Sequence, residues 1–145
     1  MPGISTDHAG LETLPLDACL HLLASVPLGR IAFWADGEVV VLPVNHAMDG
    51  QDVVFRTASG SKLTAACEQH RVTFEADSYD EQTRSGWSVL VTGRATPVYE
   101  EAEIERLGVL GLDPWPTAVG HPYWIRVRPT SITGRRTRGT VGAAS

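Results

Sequence analysis

The chain has 145 residues, 43% of them hydrophobic and 20% charged, with a formal net charge of -5. That size and balance predict one soluble domain with its own core, and they argue against a general nucleic-acid binder, which carries a basic footprint. No apolar run approaches the roughly 20 residues of a membrane helix, and the first ten residues lack the basic-then-apolar pattern of a secretory signal.

Residues 1–15, rich in Gly, Pro and polar residues, are expected to form a loose arm. A short helix opens at Asp17, with Leu16, Leu20 and Leu23 on one face, and ends at Pro27. Strands follow. Arg30–Trp34 and Glu38–Asn45 flank Asp36-Gly37, a hairpin signal, and Pro43 marks a strand end or an edge. After a turn at Met48-Asp49-Gly50, Asp52–Ala58 is a third strand. Ser59-Gly60-Ser61 leads into a helix over Lys62–His70. Arg71–Ala76 is a fourth strand, and the polar stretch Asp77–Ser85 reads as a loop. Trp87–Tyr99 is a long fifth strand, with a bulge at Gly93. Glu100–Leu110 is a helix with acidic residues where its dipole favours them. Asp113–Pro122 is a loop, Tyr123–Val127 a sixth strand, Ser131–Arg135 a short extension, and 139–145 a disordered tail. No βαβ alternation recurs. The count fits a mainly β fold, a six-stranded antiparallel barrel with peripheral helices, over residues 16–138.

Cys19 and Cys67 sit among apolar residues of helix-like stretches, which reads as buried thiols rather than a disulfide framework or a zinc site. A reducing, cytoplasmic setting follows.

The segment Phe55-Arg56-Thr57-Ala58-Ser59-Gly60-Ser61-Lys62-Leu63 carries the most chemistry. A strand ends, a turn of small residues follows, and a helix begins. Unpaired N–H groups at a helix start, with the helix dipole, make a ready anion site. Thr57, Ser59 and Ser61 add hydroxyls. Lys62, the only lysine in the chain, stands in the first helical turn, where the dipole alone disfavours a cation. The same residues also read as an ordinary helix capped by Ser59 or Ser61. The spacing is not that of a nucleotide P-loop, because Ser61 separates Gly60 from Lys62 and Leu63 follows.

Two further segments are weaker. Trp87, at a strand start, either stacks on a flat ring or closes the barrel end; beside it, Arg94 pairs most simply with an acid such as Glu75. Asn45 offers a donor and an acceptor to a heterocycle edge, or serves the following turn. His46 has no partner in sequence and reads as structural or exposed rather than as a catalytic base. Asp77, Asp80 and Glu81 read as a solvated acidic loop. The arginines from Arg126 to Arg138 either grip a phosphate tail or coat an exposed strand. No catalytic constellation and no metal spacing stands out.

At these segments the chain resembles the pyridoxamine 5'-phosphate oxidase-like proteins of the flavin-binding split-barrel superfamily, especially its short nitroimidazole-resistance-like and actinobacterial members. The matching stretches are Leu28-Gly29-Arg30-Ile31-Ala32-Phe33, Pro43-Val44-Asn45, Phe55-Arg56-Thr57 with Gly60-Ser61-Lys62-Leu63, Val72-Thr73-Phe74-Glu75-Ala76-Asp77, Gly86-Trp87-Ser88-Val89, Thr92-Gly93-Arg94-Ala95 and Ile132-Thr133-Gly134-Arg135-Arg136. The resemblance implies a six-stranded split barrel that forms a homodimer and holds two flavins at the subunit interface. Arg56, Thr57, Ser61 and Lys62 would hold the phosphate, with Leu63 beside them. Val44 and Asn45 would lie along the ring, and Trp87 and Ser88 would face it, from the same or the other subunit. The implied cofactor is FMN, or deazaflavin F420, which also carries a phosphate; the implied activity is an oxidoreductase of unknown substrate, or a non-catalytic flavin- or haem-carrying module. The chain is short for a pyridoxamine phosphate oxidase proper and does not match that enzyme's C-terminal substrate pattern, so the resemblance does not extend to vitamin B6 oxidation.

Overall fold

A ring of strands, each hydrogen-bonded to the next, encloses one apolar core. The computed structural model describes residues 11–58, 71–111 and 122–137. In chain order these form β1 (Glu12–Leu14), α1 (Leu16–Ser25), β2 (Leu28–Ala35), β3 (Glu38–Asp49), β4 (Asp52–Ala58), β5 (Arg71–Asp80), β6 (Ser85–Val98), α2 (Glu101–Gly108) and β7 (Pro122–Thr137). The sheet order is β1-β7-β4-β3-β2-β5-β6, and β6 also pairs with β7. That last pairing closes six strands into an antiparallel barrel, which removes their free edges. The expected split-barrel architecture is what the chain adopts, with β1 added outside the ring on β7.

Alternation along each strand fills the barrel. Ile31 and Phe33 of β2, Val44 and His46 of β3, Val53 and Phe55 of β4, Val72, Phe74 and Ala76 of β5, Val89, Val91 and Ala95 of β6, and Ile125 and Val127 of β7 are all buried. Their side chains share the inner face set by the two-residue period of a strand. Val54 points the other way, yet it too is buried, because Trp124, Val98 and Leu107 of α2 pack over it in a second, smaller cluster.

Several local signals are realised as read. Asp36 and Gly37 both take positive φ, 52° and 78°, as a tight hairpin turn requires. The ladder between β6 and β7 slips between Thr92 and Gly93. A Cβ at Gly93 would fall on the Arg128 carbonyl, so only glycine lets the two strands close at that bulge. Among the described residues Pro43 has a ladder partner on β2 only, Arg30, so its missing N–H breaks no pairing with β4.

Other expectations fail. Glu12–Leu14, inside the expected loose arm, is a strand whose partners are Gly134, Arg135 and Arg136. The expected loop from Asp77 is strand as far as Asp80, paired with Ser85–Ser88, because a ten-residue ladder outweighs the polarity of its last residues. The sixth strand and its extension are one strand, Pro122–Thr137. The helix expected over Lys62–His70, Cys67, the expected loop over 113–121 and the tail 139–145 lie outside the described residues.

α1 docks on the barrel through its two fully buried side chains, Cys19 and Leu23. The approach is close: a Cβ at Gly134 would stand 2.5 Å from the Cys19 sulfur. Gly134→Ala should therefore cost about 1–3 kcal/mol, the range of an overpacked core, in a urea denaturation series, and Cys19→Ala in the same chain should recover part of it.

Candidate functional site

Four of the expected site residues meet where β3 and β4 part. The last described pair of that ladder is His46 with Phe55, so Asn45 and Arg56 are the next residues beyond it, flanked by Val44 and Thr57. Arg56 faces outward. Its guanidinium carbon lies 5.5 Å from the ring centroid of Trp124, its register partner on β7, a cation–π contact that holds the cation in place. Thr57 faces inward and is buried, as is Val44, while Asn45 is half-buried. Val44 is thus part of the core, and only its backbone is offered to the surface. Ser61, Lys62 and Leu63 lie outside the described residues, a few positions beyond the end of β4.

Trp87 and Ser88 sit elsewhere. They pair with Arg136 and Arg135 of β7, whereas Arg56 and Thr57 pair with Trp124 and Tyr123. Twelve residues of β7 separate Trp124 from Arg136, roughly 40 Å of strand. Trp87 and Ser88 line a cleft of about 330 Å³ with Leu11, Tyr79, Asp77 and Arg135. Trp87 also packs against the core, so it closes the barrel end and presents an edge to the cleft at once.

The arginine-rich end is not one unit. Arg126 is not free to grip a phosphate. Only 9% of its side chain is exposed, and its Nη1 donates to Asp52 at 2.7 Å, while Nη2 donates to Asp49 at 2.8 Å and Glu103 at 2.6 Å. Arg106 of α2 donates both its Nη groups to Asp49, at 3.1 and 2.6 Å. Hydrogen bonds from Arg106 and then Arg126 hold the Asp49 carboxyl down at about 2. This network bolts α2 to the β3–β4 hairpin and to β7. The reading of the acidic residues at 100–105 as mere dipole partners missed it; the signal available was a charged residue between the apolar Ile125 and Val127. Arg136 is also engaged, 3.6 Å from the buried Glu12.

Glu75 pairs with Arg30 at 3.5 Å, not with Arg94, which lies across the ladder from Arg71. Burial pushes the Glu75 carboxyl up to about 7, the neighbouring Asp77 adds to the rise, and Arg30 opposes it. Of the two readings left open for His46, structural or exposed, the structure shows a buried side chain. No cluster of His, Cys, Asp or Glu among the described residues is arranged to hold a metal, and no described helix is long and apolar enough to cross a membrane.

The barrel and its order of strands define a split-barrel protein. A family model described as pyridoxamine 5'-phosphate oxidase matches residues 15–136, and the chain belongs to that family. It is 34% identical over 128 residues to an uncharacterized protein of Mycobacterium tuberculosis, covering 85% of this chain and 83% of the relative. The FAD binding protein from Mycobacterium smegmatis is 41% identical, with a TM-score of 0.74 over 87% of this chain and 99% of that one. The FAD and heme binding protein of the same organism shares the fold alone, at 14% identity, with a TM-score of 0.69 over 88% of this chain and 74% of that one.

Proposed function

We propose that this protein binds a flavin and works as a flavin-dependent oxidoreductase, with each cofactor held between two copies of the chain. The observation that carries the reading is the juxtaposition of Asn45 of β3 with Arg56 of β4 on the outer face, a few positions in sequence before Ser61 and Lys62. A guanidinium fixed over an indole on the outer face and a following lysine form a donor set suited to a phosphate, with the Thr57 backbone beside them. Asn45 and the backbone of Val44 would run along the heterocycle. The bound flavin supplies hydride or electron transfer. The chain supplies position and charge.

Two observations support a homodimeric arrangement. Arg56 and Trp87 stand at opposite ends of β7, so one cofactor meets both most simply if a second copy brings Trp87 and Ser88. The outer face of the β2–β3 hairpin also exposes Trp34, Val39 and Val41, at 54%, 66% and 57%, an apolar patch of the kind that marks an interface.

The cofactor favoured is FMN. FAD, which the M. smegmatis relative binds by its name, contains the same FMN moiety, and F420 shares the phosphate. Titrating apoprotein with FMN, FAD and F420, and reading the absorption spectrum of freshly purified protein, separates the three. Saturable binding of a flavin is expected; failure to bind any of them contradicts the proposal. Lys62→Ala should weaken binding by about 1.5–3 kcal/mol, the scale of a hydrogen bond to a charged group, and an unchanged affinity removes Lys62 from the site.

A further inference from the structure

The flavin reading leaves one buried titratable side chain without a task. His46 is 3% exposed, and its ring lies edge-on to Phe74 with centroids 4.8 Å apart. Its Nε2 is 2.7 Å from the Leu23 carbonyl in the last turn of α1. A carbonyl only accepts, so Nε2 carries the proton and Nδ1 is the bare nitrogen. Nδ1 is buried and has no hydrogen-bond partner among the described residues.

We propose that His46 is a proton-operated pin between α1 and β3: the neutral ring ties the last turn of α1 to the barrel, and a proton taken up at Nδ1 in mildly acidic solution releases that turn. A protonated Nδ1 would be a charged donor in an apolar wall. The Pro27 carbonyl beside it already accepts the His46 backbone N–H at 2.9 Å. Leaving a charged donor unpaired there costs more than the hydrogen bond to Leu23 returns. Opening the turn lets the ring meet water.

Titratable and charged groups stand on each element around the ring: Asp17, Cys19 and His21 on α1, Arg30 on β2, Asp49 on β3, Asp52 and Arg56 on β4, and Arg71, Glu75 and Asp77 on β5. None of them is among the causes of the ring's shift. Burial pushes its titration below the ordinary histidine value, and the backbone carbonyls of Leu23 and Pro27 oppose it. A released His46 takes a proton near pH 6.5. The pin therefore holds fully above that value and weakens as pH falls below it, by up to tenfold in the opening equilibrium per pH unit.

Global stability is a poor readout, because Glu75 works in the opposite sense: its raised carboxyl stabilises the fold below the ordinary glutamate range, and that contribution is lost as pH rises through about 7. Amide hydrogen exchange is local. Protection of Leu22–Ser25, taken relative to Val89 and Val91 of β6, is measured from pH 7.5 to 5 after correction for intrinsic rates. The expected result is a fall of up to tenfold per pH unit below about 6.5 in the wild-type chain. In His46→Gln, whose side-chain amide keeps a donor for Leu23 and does not titrate, the ratio should be flat. A flat wild-type ratio, or a parallel fall in the variant, overturns the proposal. If His46→Gln does not fold, the assigned His46 ring signals of the wild-type chain decide. A midpoint below 6.5 shared with the α1 amides supports the pin, and a midpoint that leaves those amides unmoved overturns it. Neither arm needs a bound flavin, so failure here leaves the cofactor reading untouched.

Discussion

Arg126→Met should destabilise the protein by about 1.5–3 kcal/mol, the scale of hydrogen bonds to charged groups, because the carboxylates it leaves keep partial access to water. The methionine fills a similar volume, so little of the loss would come from packing. What remains is three carboxylates, Asp49, Asp52 and Glu103, that shared one guanidinium within 2.8 Å. Arg106 still reaches Asp49 and Glu103, but it is half exposed and approaches from α2 only. Asp52 is left with no replacement for Arg126 in this network. Adding Asp49→Asn and Glu103→Gln to Arg126→Met should return part of the loss, because residues in one ion network couple. Urea denaturation of the three chains measures this, and a change within about 0.5 kcal/mol for Arg126→Met would mean that the network contributes no more than an ordinary surface site. Acid should act on the same network. The Asp49 carboxyl is held below its ordinary value, so its contribution is fully present above about pH 4 and is lost as pH falls toward about 2.

Phe74→Ala is the second large effect, about 3–5 kcal/mol for a fully buried aromatic. Phe74 is completely enclosed and lies against both the His46 ring and Gly29. The Gly29 contact is specific, since a Cβ on residue 29 would strike the Phe74 ring edge. Gly29→Ala should thus be destabilising in the wild-type chain and markedly less so beside Phe74→Ala, where the ring is gone; the Glu75 carbonyl, 2.9 Å from the same Cβ position, keeps the rescue partial. A double-mutant cycle by thermal or urea unfolding reads the coupling. Strict additivity would show that the ring and Gly29 do not constrain one another.

Local patterns made the barrel legible. Asp36-Gly37, the bulge at Gly93, and the alternation of Val89, Val91 and Ala95 each carry their own short-range signal, and each stands where that signal puts it. Features decided by distant partners were not legible. Glu12–Leu14 is a strand only because Gly134–Arg136 of β7 lies beside it. Ser78–Asp80 is polar enough to read as loop, yet β6 pairs with it. Arg126 finds Asp49 across 77 positions of sequence, a distance no window of local charge reveals. For the site, the expected strand end at Asn45 is not there, since β3 runs on to Asp49; the juxtaposition of Asn45 with Arg56 follows instead from the turn after Met48-Asp49, which fixes the β3–β4 register. The distance from Arg56 to Trp87 does not, because it depends on where each strand meets the sixteen residues of β7.

In the proposed assembly a flavin is held by the Arg56 end of one copy and the Trp87 end of another. Complementation tests that most directly. Arg56→Ala and Trp87→Ala, each purified alone, should bind FMN weakly. Mixed under conditions that exchange subunits, they should regain roughly a quarter of the wild-type sites, since half the dimers are then mixed and each mixed dimer carries one intact site. No recovery on mixing, with the wild-type chain binding normally in the same titration, would contradict the shared site.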